Sequence, residues 1–304
     1  MSKKISMILV LSLGLIVSVV GFNISAQTVQ TLFSGDWTAK LSEQGSGINL
    51  NFTRHRERGG KHQIGETFAF ADLNGLTREQ ALKGGPVKFA LVREAGTIEC
   101  AGSFKDGWGA GTFQFTGSQA FLAAMKSRGF DFEKDAHMGN DIEDRLFTAT
   151  TLNITTAQAD DLLSAGFGKL DVGDLFKAAI FKVDSKFMRE MKDTGFPNMG
   201  MEELVKARIF KIDADFVKHA REMGFEKESF EGLVKMQIFK VTPEFLTELR
   251  NEGLSGLSVE EVVKLRIFNV DAAFIRKARA EGVPVDVESL VRRRLGFGRS
   301  QRAI

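Results

Sequence analysis

The chain has 304 residues, 43% of them hydrophobic, and 41 basic against 39 acidic side chains for a net charge of +2. That length admits two domains and a sizeable core, while the near balance of charge excludes the global positive field of a nucleic-acid binder. A single cysteine, Cys100, rules out an internal disulfide and a thiolate zinc site, and its expected role is that of a small buried apolar side chain.

Residues 1–26 have the parts of a signal peptide: Lys3 and Lys4, an apolar run over residues 5–22, then Ile24-Ser25-Ala26 with a small residue before the cut. Cleavage is expected after Ala26, leaving a soluble exported chain, periplasmic or extracellular. The alternative is an uncleaved anchor, because about 18 apolar residues can just cross a bilayer. No cysteine follows the small residue, which disfavours a lipoprotein.

Residues 27–117 read as an antiparallel β domain. Trp37, Ala39 and Leu41 alternate with polar residues, as do Ile48, Leu50 and Phe52, then residues 64–70. Val87, Phe89 and Leu91 lead through Glu94-Ala95-Gly96 to Ile98, Cys100 and Phe104, and Asp106-Gly107 opens a hairpin into residues 111–115. About six strands forming a small sandwich or open barrel are expected.

From Phe121 the period becomes helical, and residues 121–298 carry a unit of 29 residues marked by Gly166, Gly195, Gly224, Gly253 and Gly282. LVKARIFKIDADFVKHAREMGF from Leu204 returns as LVKMQIFKVTPEFLTELRNEGL from Leu233 and VVKLRIFNVDAAFIRKARAEGV from Val262. Each unit predicts two short helices. The first sits behind a cap such as Ser258 with its capping-box partner Glu261, and the second starts at Asp184, Asp213, Thr242 or Asp271 and ends at the periodic glycine. Phe121, Phe187, Phe216, Phe245 and Phe274, with the residues four later, mark the expected buried face. The fold class is therefore α+β, with an α-solenoid-like stack of about six helix pairs, irregular at its ends, after the β domain. Residues 299–304 form a basic tail, continuing a basic end that includes Arg276, Lys277, Arg279 and Arg292 to Arg294.

Catalytic chemistry is sought and not found. His55, His62, His137 and His219 stand in no metal-binding spacing. The basic segment over residues 54–62 reads as a solvated loop. Gly107-Trp108-Gly109-Ala110-Gly111 lacks the Lys-Ser/Thr of a phosphate loop and leads into a strand, so tight turns and a bulge explain it better. Asp131, Glu133, Asp135, Asp141, Glu143 and Asp144 lack the order of a calcium loop and read as a solvated acidic segment. No Gly-x-Ser-x-Gly and no catalytic triad is present. A non-enzymatic protein with no cofactor and no metal is expected.

The repeats place Lys177, Lys206, Lys235 and Lys264 in one phase, with Arg292 or Arg293 closing the row. Lys177, Lys206, Lys235, Lys264 and Arg293 are the candidate partner-binding residues, a line of positive charge for an acidic partner. The competing reading is the ordinary polar face of amphipathic helices neutralised by acids such as Glu202, Glu203, Glu260 and Glu261. If the row is free surface, changing it to glutamate leaves the fold intact. Lys192, Arg221, Arg250 and Arg279 form a second row three residues before successive glycines.

The run Arg93-Glu94-Ala95-Gly96-Thr97, the hairpin to Phe115 and repeats of the form L-V-K-x-R-I-F-x-V-T/D-x-x-F resemble a group of exported bacterial proteins of unknown function. Similar repeats are appended to membrane metallopeptidases of the antirepressor type, whose zinc motif is missing here. The resemblance implies a repeat stack and a link to envelope signalling. Two functions follow as expectations. One is a non-enzymatic exported interaction protein, a scaffold or signalling accessory, with a protein partner, peripheral contact with an anionic envelope surface and no nucleic acid. The other is a protein that binds a small ligand or lipid between Trp37, Phe68, Phe70, Phe89 and Trp108 of the β domain.

Overall fold

The computed structural model describes residues 33–42, 47–55, 61–134, 141–166 and 168–297. The signal peptide, the basic tail, most of the loop after Arg54, and Asp135 and His137 of the acidic segment lie outside the described residues.

The N-terminal region is one antiparallel sheet of seven strands: β1 Phe33–Leu41, β2 Gly47–His55, β3 Lys61–Ala69, β4 Leu73–Asn74, β5 Gly85–Arg93, β6 Gly96–Lys105 and β7 Trp108–Gly117, in the order β3-β2-β1-β7-β6-β5-β4. It curls into a half-barrel, so the open-barrel expectation fits better than the sandwich. All six strands read from the alternation are present; the short β4 and a helix, α1 Arg78–Lys83, were not foreseen. Helix α1 had a legible signal, because Thr77 and Gln80 form a capping box.

Alternation puts Trp37, Ile48, Leu50, Phe52, Phe89, Leu91, Ile98, Phe113 and Phe115 on the buried face. Trp37 sets the local geometry of the glycine-rich hairpin. Its ring lies against Phe89 and Phe104, with centroids 5.2 and 5.7 Å away, and its Nε1 donates to the Ala101 carbonyl at 3.3 Å. A Cβ on Gly102 would fall 2.2 Å from the Ala110 carbonyl and 2.6 Å from the Trp37 ring. The glycines of this hairpin thus admit an indole and a close strand pairing; the expected tight turn stands at Asp106-Gly107, both with positive φ, whereas the expected bulge is absent from the one-to-one register of β6 and β7.

The helical region comprises α2 Gln119–Ser127, α3 Ile142–Thr151, α4 Thr156–Ser164, α5 Val172–Phe181, α6 Ser185–Asp193, α7 Met201–Ile209, α8 Ala214–Glu222, α9 Phe230–Ile238, α10 Pro243–Asn251, α11 Val259–Ile267, α12 Ala272–Ala280 and α13 Val287–Arg294. Among the described residues these are five helix pairs, α3 through α12, flanked by the single helices α2 and α13. Every expected cap is in place: Asp184, Asp213, Thr242 and Asp271 each accept from the backbone N–H of the phenylalanine three residues on, and Ser258 with Glu261 closes a capping box. The periodic glycines all have positive φ, from 67° at Gly166 to 101° at Gly224, as a helix-ending left-handed residue requires. A second left-handed column separates the two helices of each pair: Asn153, Lys182, Lys211, Lys240 and Asn269, with φ between 50° and 56°.

The buried face differs from the expected one by a residue. Phe121, Phe187 and Phe245 are buried, but Phe216 and Phe274 are only half-buried. The column that is buried in every repeat is its neighbour, Met188, Val217, Leu246 and Ile275, paired three residues on with Met191, Ala220, Leu249 and Ala278. Across repeats, α5 packs on α7, α9 on α11 and α11 on α13, while α2 packs on α4 and α4 on α6.

Helix α3 joins the two regions. It packs on β3, β6 and β7, and Phe147 enters the mouth of the half-barrel, with centroids 5.2 Å from Phe33 and Phe115, 5.4 Å from Phe113 and 5.7 Å from Phe52. Arg54 of β2 pins the start of the same helix. Its guanidinium reaches Glu143 at 2.6 Å, the fully buried Asp144 at 2.9 Å and Asp141 at 3.5 Å, and lies 4.1 Å over the Phe33 ring. Arg54 and this part of the acidic segment are therefore an inter-element ion-pair cluster, where two solvated segments were expected. The remaining acids Asp131 and Glu133 hold Lys126 at 3.7 and 2.9 Å.

Candidate functional site

The lysine row is where its spacing places it, on the first helix of four successive repeats, α5, α7, α9 and α11, and all four lysines are paired. Lys177 reaches Glu202 at 2.5 Å, Lys206 reaches Glu231 at 2.6 Å, Lys235 bonds Glu260 and Lys264 bonds Glu288. Each glutamate lies in the first turn of the next repeat's first helix, so the bridges link α5 to α7, α7 to α9, α9 to α11 and α11 to α13. The hydrogen bond that each donates to its glutamate holds the Lys177, Lys206 and Lys235 ammonium groups above their ordinary pKa. The acids that matter, Glu202 and Glu260 among those foreseen, belong to the following repeat.

Arg293 does not share this phase. The cap of α13, Asp286, follows Ser258 by 28 residues, one fewer than the 29 separating Ser229 from Ser258. Counted from the caps, Arg292 is the equivalent of Lys264, and Arg293 instead holds Glu281, at the end of α12 in the preceding repeat, at 2.5 Å. The shortened last unit explains why equal spacing pointed one residue too far.

The second basic row is likewise structural. Arg221, Arg250 and Arg279 donate to the carbonyls of Thr194, Met223 and Glu252, the residues that end the second helix of the preceding repeat. A cation there satisfies an orphan carbonyl and meets the negative end of the helix dipole. Arg276 and Arg279 also hold the buried Glu252 carboxylate at 2.7 and 2.9 Å. A third set, unforeseen, covers the phenylalanine column: Arg208 lies 3.7 Å over Phe187, Arg266 3.6 Å over Phe245 and Arg294 4.8 Å over Phe274. Gln237 is the residue at this phase following Phe216, and it donates to the Lys211 carbonyl at 3.1 Å.

With these cations engaged, the unsatisfied surface is apolar. Ile180, Ile209, Ile238 and Ile267 are 53%, 53%, 48% and 50% exposed, and Leu295, in the same phase of the shortened unit, is 53% exposed. Each is the ninth residue after the cap of its helix. Leu163 and Phe297 aside, they are the exposed large apolar side chains of the described helical region. Two residues beyond each isoleucine, in the left-handed turn, stand Lys182, Lys211, Lys240 and Asn269, all exposed. The three lysines have no ion-pair partner among the described residues. The nearby caps Asp184, Asp213 and Asp271 are occupied, accepting from Phe187, Phe216 and Phe274 N–H at 2.7–2.8 Å, where the helix N-terminus itself offsets their charge.

The aromatic ligand site expected in the β domain is not assembled. Trp37, Phe68 and Phe89 are core residues, Phe70 is half-buried and Trp108 is 60% exposed with Lys40 over its ring at 5.0 Å. The sheet's outer face instead carries a polar cleft of about 500 Å3 lined by Lys88, Glu99, Thr112 and Gln114 among others. Cys100 is buried, and burial pushes its thiol pKa far up, away from the reactive thiolate. Among the described residues no group of histidine, cysteine and carboxylate side chains is placed to hold a metal, and no helix is long and apolar enough to cross a membrane. No protein family, curated protein or solved structure matches the chain.

Proposed function

We propose that the protein is a non-enzymatic, exported interaction protein, a scaffold or signalling accessory of the cell envelope, whose helix pairs form a solenoid-like stack that presents one edge to a protein partner. The observation that carries this reading is the exposed isoleucine row, because a repeated unit that leaves the same large apolar side chain in water at four successive steps, from Ile180 to Ile267, has kept a surface, and such patches mark interaction sites. The resemblance to exported proteins with 29-residue repeats agrees with it. The paired lysine row supports it indirectly, since it fixes neighbouring repeats and so the spacing of the edge.

Two measurements test the reading. Mass spectrometry of the mature protein should find an N-terminus at Gln27, and full-length chain confined to the cytosol would overturn export. Photocrosslinkers introduced at Lys211 on the edge and at Thr112 on the outer sheet face should give protein adducts from 211 in the native envelope. Adducts of a small molecule or lipid at 112, with none at 211, favour the second reading, a ligand-binding β domain, which rests on the polar cleft and exposed Trp108.

A further inference from the structure

Resting on that reading, we propose that the edge formed by Ile180, Ile209, Ile238 and Ile267 with Lys182, Lys211 and Lys240 docks an acidic amphipathic segment of a partner protein, aligned along the row. Three observations select this occupant. The cations of the edge are unmatched while the parallel row Lys177, Lys206, Lys235 and Lys264 is matched pair by pair, so the charge left for a ligand lies beside the isoleucines. Each step of the row contributes one large exposed apolar side chain, and that side chain is about half exposed. A bilayer is met instead by a broad apolar face rich in Trp, Phe and Leu. The row is also periodic: first helices that pack directly on one another lie about 8–10 Å apart, and an α-helix advances about 10 Å in seven residues. A helix with one apolar residue per heptad and acids beside it can thus meet one isoleucine and one lysine at each repeat.

The probes are two designed helices of several heptads, each with leucine at one heptad position, one flanked by glutamate and the other by lysine, together with phosphatidylglycerol-containing vesicles. Binding is read by fluorescence anisotropy for the peptides and by co-sedimentation for the vesicles, on the whole mature protein. The acidic helix should bind at least about tenfold more tightly than the basic one, a difference expected of complementary charge. Ile209→Ser with Ile238→Ser, and separately Lys211→Glu with Lys240→Glu, should each weaken it by about tenfold or more while thermal unfolding stays unchanged. Equal binding of the two helices, indifference to both double variants, or vesicle binding lost through these same residues would overturn the proposal. If the variants still capture envelope proteins as the unmodified chain does, the interaction function stands and this edge is not its site.

Discussion

The sheet and the repeat region solve the burial problem in opposite ways. In the sheet, rings far apart in sequence interlock: Phe147 touches four phenylalanines drawn from β1, β2 and β7, and Trp37 bridges β1 to β5 and β6. In the repeats, each unit adds a few side chains such as Val205, Ala207, Val217 and Ala220 to the continuous core, and polar links such as Lys206–Glu231 and Arg279–Glu252 run only between successive units. A mutation in the sheet should therefore be felt by everything that closes on it, whereas one in a repeat should be felt mainly by its neighbours.

The largest expected effect tests the first half of that contrast. Phe147→Ala removes a ring enclosed on all sides and should cost about 3–5 kcal/mol, as large-to-small changes in cores do. Because Phe147 belongs to a helix yet sits in the sheet, near-ultraviolet and far-ultraviolet signals should fall together in urea. Loss of helix signal with the sheet intact would mean that α3 is dispensable to the half-barrel.

The phenylalanine column offers an internal comparison. Phe245 is 4% exposed under Arg266, while Phe216 is half-buried and the residue that follows it at the phase of Arg266 is Gln237. Phe245→Ala should cost about 3 kcal/mol or more. Phe216→Ala should cost clearly less, about 1–2 kcal/mol, in proportion to the smaller area it hides. Equal costs from denaturant midpoints would show that the repeats share their burden rather than carry it locally.

Much of this was legible in the residues. Period two marked six strands, and the phase of Asp184, Asp213, Thr242 and Asp271 fixed the second helices, because capping is local chemistry. What could not be read is which of two adjacent apolar residues faces water. Ile209 and Phe210 both suit a helix, and only the direction of the next repeat decides that the isoleucine is the exposed one. The partner of Lys206 was equally hidden, since Glu231 lies 25 residues on and meets it through packing alone. The left-handed lysines Lys182, Lys211 and Lys240 carried no signal of their own; Asn153 and Asn269, residues tolerant of that conformation, were the hint at the same phase. The plug by α3 was masked because Phe147 falls in a region whose helical period gives no clue that its contacts are strands.

A smaller effect is expected at the helix ends. No heavy atom lies within 4 Å of where a Cβ would stand on Gly224, but its φ is 101°. Gly224→Ala should therefore cost about 1 kcal/mol through backbone strain alone. A stabilising outcome in thermal unfolding would mean that the turn relaxes freely, and that the repeats are looser than their shared phase implies.

The smallest effects separate the two lysine rows, and with them structure from function. Lys206 and Lys235 are paired across repeats, so changing both to glutamate sets like charges against Glu231 and Glu260 and should lower the unfolding midpoint slightly, in keeping with the modest worth of exposed ion pairs. Lys211 and Lys240 face solvent without a carboxylate partner, so the same reversal there should leave the unfolding midpoint unchanged. Salt gives the sign independently: raising ionic strength screens charges over about 8 Å under physiological conditions, and should shrink the difference between the paired-row variant and the unmodified protein. If both rows respond alike, the bridges contribute nothing, and the spacing of the isoleucine edge is set by packing alone.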